Sequence, residues 1–69
     1  MSKLPEYKMI ARRIDKQSVQ AMVKALRAAD LPVVKSDYGY KCEVQGRVIF
    51  QAMNGNHDYL VRMADNLFS

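Results

Sequence analysis

Sixty-nine residues, 49% hydrophobic and 26% charged, allow one small globular domain with little core to spare. The single cysteine, Cys42, excludes an internal disulfide and fits a reducing, cytoplasmic setting, and with no long apolar run at the N-terminus neither a signal peptide nor a membrane span is expected. The net charge of +4 is uneven, eight Lys/Arg against three acids over residues 1–36 and three against four over residues 37–69, which points to an anionic partner meeting one side, with a solvated basic surface as the bland alternative.

The first few residues are expected to form a disordered arm. The segment "YKMIARRID" fits two templates. Pro5 suits a helix start, but no Gly or Pro would separate that helix from the cap that follows, so a strand or extended arm from Tyr7 to Arg12 is preferred.

The strongest element is a helix over about residues 15–30, in "IDKQSVQAMVKALRAAD". Asp15 can cap it through a first-turn N–H, with Ile14 and Val19 at the positions of a hydrophobic staple. Val19, Met22, Val23 and Leu26 follow i, i+3, i+4, i+7 as one apolar stripe. Pro32 ends the helix after Leu31. Lys16, Gln20, Lys24 and Arg27 form a second stripe beside the core face. Ala21, Ala25 and Ala28 form a third, flat enough for a homodimer, although alanine is also simply the best helix former.

Strands follow. Val33 and Val34 open one after Pro32, and "DYGY" is a turn or bulge around Gly39. "YKCEV" and "RVIFQAM" form a hairpin through Gly46. A three-residue loop, Val44-Gln45-Gly46 with Gly46 left-handed, would pair Glu43 with Arg47, Cys42 with Val48 and Tyr40 with Phe50, keeping the apolar residues on one face. A two-residue Gln45-Gly46 loop would instead pair Glu43 with Val48 and Lys41 with Phe50. The three-residue loop is preferred.

The tail "MNGNHDYLVRMADNLFS" also fits two templates. Asn54-Gly55 is a two-residue hairpin signal that would pair Phe50 with Tyr59 and Val48 with Val61. A helix capped by Asn56 or Asp58 would place Leu60, Met63, Ala64 and Leu67 on one face, and is preferred because it reaches Leu67. The expected fold is therefore α+β in one domain, 1–69: an antiparallel sheet of three to four strands, one main amphipathic helix and a short C-terminal helix packed on it.

Catalytic chemistry finds little support. His57 beside Asp58 could act as a base with an orienting carboxylate, but no nucleophile or Gly-rich phosphate loop accompanies them, and "MNGNHD" reads as a turn with Gly55 at positive φ. Cys42 reads as a small core residue, and Met22, Met53 and Met63 as core fillers. No cofactor and no metal are expected.

Tyr38 and Tyr40 flank Gly39 and precede Lys41. Aromatics beside basic residues on a sheet are how RNA-recognition sheets stack bases. Of that family's aromatic-glycine signature the stretch matches Tyr38, Gly39 and Tyr40 only, and two turn-flanking tyrosines half-buried against the core are the preferred explanation. The order helix, three strands, helix is similar to that of double-stranded RNA-binding domains, in topology only. Where those carry a lysine cluster this chain has Asn56-His57-Asp58-Tyr59, and no family membership follows.

The expectation is a small non-enzymatic binding protein that engages nucleic acid or an acidic protein surface through Arg12, Arg13, Lys16, Lys24, Arg27, Tyr38, Tyr40 and Lys41. The alternatives are a small regulator of the phage or mobile-element kind, binding a host protein complex such as a defence system, and a structural homo-oligomer.

Overall fold

The computed structural model describes residues 8–68. The expected disordered arm and Tyr7 lie outside them. The chain runs β1 (Met9–Asp15), α1 (Lys16–Ala28), β2 (Val33–Ser36), β3 (Gly39–Val44), β4 (Arg47–Asn54) and β5 (Asp58–Ala64). The strands form one antiparallel sheet in the order β1-β5-β4-β3-β2, with α1 on one face. The fold is mainly sheet, which corrects the expected three to four strands and second helix, and with them the likeness to double-stranded RNA-binding domains. No helix among the described residues is long and apolar enough to cross a membrane.

The helix begins where expected. Asp15 caps it by accepting from the Ser18 N–H at 3.0 Å and the Ser18 hydroxyl at 2.7 Å. Those two hydrogen bonds hold its carboxyl below the usual value of 3.8. Val19, Val23 and Leu26 are buried and Met22 partly so. Burial of each such side chain stabilises by about 1.5–3 kcal/mol. The helix ends before Pro32 acts. Asp30 turns left-handed at φ 63°, its N–H donates to the Arg27 carbonyl, and the Leu31 N–H donates to the Leu26 carbonyl. That is a Schellman stop, with Leu31 packed on the core.

The expected C-terminal helix is strand β5. Tyr59, Val61 and Met63 are buried while Leu60 and Arg62 are exposed, a period of two. The segment lies between β4 and β1 and satisfies both: Phe50 faces Met63, which faces Ile10, and Ala52 faces Val61, which faces Arg12. β1 is correspondingly a strand that runs on to Asp15, past the expected end at Arg12. The β4–β5 loop has three residues, Gly55, Asn56 and His57, so neither Phe50–Tyr59 nor Val48–Val61 pairs. Gly55 is not at positive φ; its N–H donates to the Asp58 carbonyl at 2.8 Å, and a Cβ there would lie 2.8 Å from that oxygen.

The β3–β4 hairpin takes the loop that was not preferred. Val44 faces Arg47 and Glu43 faces Val48 around Gln45-Gly46, both at positive φ (51° and 77°), as a type I′ turn requires. The register then shifts between Cys42 and Glu43, leaving Ile49 as the extra residue, and Cys42 faces Phe50 while Tyr40 faces Ala52. A bulge, not loop length, returns Tyr40, Cys42 and Phe50 to one face. After β5 the chain turns through 65–68, and the Phe68 ring meets Phe50 edge-on at 6.3 Å.

Candidate anionic-partner interface

The basic stripe of α1 flanks its buried stripe on the side of β3 and β2. Arg27 Nη2 donates to the Val33 carbonyl at 3.3 Å, anchoring the helix end to β2. A groove of about 250 Å³ lies there, lined by Gln20, Val23, Lys24, Arg27 and Tyr40. Tyr40 is half-buried with its ring 6.0 Å from that of Tyr59. Lys35 is the cross-strand partner of Tyr40, so it shares the helix-covered face and extends the groove at the sheet edge. Lys16 lies on the same helix stripe, about 12 Å further along from Lys24 at 1.5 Å per residue.

The expected site residues divide between two faces. Lys24, Arg27 and Tyr40 come together at the groove on the helix side, and Lys16 shares that side about two turns away. Arg12 shares that face but stands on the far edge strand, across Val61 and Ala52 from Tyr40. Arg13 belongs to the helix-free face and pairs with Asp58 at 3.5 Å. Lys41 is on that face too, opposite Gln51, which is opposite Arg62. Tyr38 lies in the two-residue β2–β3 turn and is 81% exposed, so the half-buried expectation holds for Tyr40 and fails for Tyr38. Met53 is likewise outside the core cluster, whereas Met63 is inside it and Met22 packs against it.

Charge follows the same division. The helix side carries Arg12, Lys16, Lys24, Arg27 and Lys35, with Asp15 and Asp30 at the two ends of α1, and no ion pair among the described residues engages the five cations. The helix-free face carries Arg13, Lys41 and Arg62 against Glu43 and Asp58. Lys35 was not among the expected site residues; its alternation with Val33 places it once β2 is known to pair with β3.

The β2–β3 turn borders a second concavity, of about 510 Å³, lined by residues of 36–41 and 51–54, again including Tyr40. The turn is tied down. The Tyr38 N–H donates to Ser36 Oγ at 3.3 Å, its carbonyl accepts from the Asn54 N–H at 2.8 Å, and Asn54 Nδ2 donates to the Asp37 carbonyl at 3.3 Å. Gly39 is buried at φ 136°, and a Cβ there would collide with the Ala52 carbonyl oxygen.

His57 is exposed in the β4–β5 loop. Cys42 is fully buried and its thiol is pushed up by burial, so it stays protonated at neutral pH. Comparison of the chain with known protein families, curated proteins and solved structures finds no match.

Proposed function

We propose that this is a non-catalytic binding protein whose helix side takes nucleic acid through the phosphate backbone. The observation that carries this reading is a groove lined by Lys24 and Arg27 without an acidic lining residue, with Lys35 on the same face at the sheet edge and Lys16 about two turns along the same helix stripe, none of the four in an ion pair among the described residues. Uncompensated cations are solvated in the free protein and can exchange that solvent for phosphate oxygens, releasing the counterions condensed on the nucleic acid. Arg27 adds geometry, since its planar guanidinium can hold the Val33 carbonyl and a phosphate with different N–H groups. The groove lies between a helix and a sheet edge, which fixes the spacing of the cations.

The location is tested by amide-shift mapping on isotope-labelled protein with an unlabelled oligonucleotide. The largest shifts are expected at Gln20, Lys24, Arg27, Lys35 and Tyr40. Shifts confined to the helix-free face, at Ala11, Leu60 and Arg62, would overturn the assignment of the groove.

A further inference from the structure

We infer that the outer edge of β1 receives an acidic extended segment of another protein as a sixth strand. This site is separate from the groove beside α1 and does not depend on what fills it. β1 and β2 are the two edges of the sheet. In an antiparallel ladder every second residue turns its N–H and C=O to the neighbouring strand. The Asp65 N–H donates to the Lys8 carbonyl at 2.9 Å, in register with the β1–β5 ladder. Ile10, Arg12 and Ile14 therefore bond to β5, and Met9, Ala11 and Arg13 turn their N–H and C=O outward. β1 has seven residues without Pro, Gly or a bulge. β2 is the poorer edge, with four residues and a Val33 carbonyl that already accepts from Arg27.

The side chains of β1 state the partner's chemistry. On the helix side the edge presents half-buried Ile10 and Ile14 with exposed Arg12 between them. Arg12 stands opposite Val61 and has no ion pair among the described residues. An incoming antiparallel strand meets these three positions as non-hydrogen-bonded pairs, the closer kind, with Cβ atoms about 4.5–5.5 Å apart. Apolar, acidic and apolar residues at alternate positions would cover Ile10, pair with Arg12 and cover Ile14. Charged side chains guard an edge strand, and here the guard admits one sign. A second copy fits worse: two-fold pairing of β1 with itself centred on Ala11, Arg12 or Arg13 sets Arg12 opposite Ile10, itself or Ile14, never an acid. A phosphate backbone could accept from the outward N–H groups but would leave the outward carbonyls unpaired, whereas a peptide strand satisfies both.

The test is amide hydrogen exchange on the full chain, with the capped peptide Thr-Val-Thr-Glu-Thr-Val-Thr and its counterpart with Lys for Glu. In the free protein the Met9, Ala11 and Arg13 amides should exchange at least about ten-fold faster than those of Ile10, Arg12 and Ile14. Saturating Glu peptide should slow the three outward amides by about ten-fold, and should bind roughly five-fold tighter than the Lys peptide, the worth of exchanging an opposite for a like charge across a strand pair. Arg12→Glu should reverse that preference; Arg12 is exposed, so the change does not endanger folding. The Lys24→Gln, Arg27→Gln double variant should bind the Glu peptide as the parent does. Outward amides untouched by the Glu peptide, or equal affinity for the two peptides, would overturn the proposal. Loss of binding in the double variant would place the peptide in the groove and overturn it too. Outward amides that slow with rising concentration of the protein alone would assign the edge to a second copy instead.

Discussion

Gly39 stands at φ 136° with its backbone against Ala52, where any Cβ meets a carbonyl oxygen and any L side chain is strained. Gly39→Ala is expected to cost on the order of 3 kcal/mol, combining backbone strain with overpacking. In so small a domain that removes most of the stability, and a thermal melt reads it directly; a melting temperature within a degree or two of the parent would contradict the geometry. His57→Ala, at an exposed loop position, should leave the melt almost unchanged. Asp15 makes a prediction in pH. Its carboxyl is held below 3.8 in the folded protein by Ser18, so the charged cap stabilises above that value and the stabilisation is lost as pH falls through the lowered one. Asp15→Ser keeps a neutral cap, and the melting-temperature gap between it and the parent should therefore narrow below about pH 3.8. A gap independent of pH would remove the charge from the account.

At the scale of elements, the β3–β4 hairpin holds a correctable strain. Gln45 adopts φ 51° beside Gly46 in a turn that favours Asn-Gly. Gln45→Asn should stabilise by about 0.5–1 kcal/mol, part of the cost of a left-handed non-glycine residue, seen as a higher denaturation midpoint at unchanged slope. The same hairpin shows why the sequence was legible only in part. Its apolar face, Tyr40, Cys42 and Phe50, could be read from alternation, but two mechanisms restore such a face, a longer loop or a bulge, and local pattern does not distinguish them. The helix was legible from its cap at Asp15 to its stripe because each signal lies within a few residues of the next. Its stop was not, since Asp30 in a left-handed conformation does the work credited to Pro32. β5 was the largest loss. Leu60, Met63, Ala64 and Leu67 fit a helix period and Tyr59, Val61 and Met63 a strand period, and the decision rests on β1, nearly fifty residues away in sequence. Of the site, the stripe of Lys16, Lys24 and Arg27 could be read from helix geometry. Lys35, and the separation of Arg13 and Lys41 onto the other face, depended on strand register.

For the whole molecule, five strands with a helix on one face give two unlike sides. Among the described residues, one carries cations without ion pairs along a helix-lined groove, with acids only at the ends of α1; the other mixes bases and acids with Met53 and Leu60 among them. The charge bias of the first half of the chain is thus a spatial bias as well, because α1, β2 and Arg12 of β1 all contribute to the helix side. Ala21, Ala25 and Ala28 are exposed on α1 and none of them lines the groove. The claim that this side binds phosphate is tested most directly by the salt dependence of oligonucleotide affinity, for the parent and for the Lys24→Gln, Arg27→Gln double variant. The account predicts a linear fall of log affinity with log salt for the parent, shallower by about 1.4 for the double variant on a single strand, or roughly 0.7 for each phosphate contact removed. Identical slopes for the two proteins, or affinity that ignores salt, would contradict it.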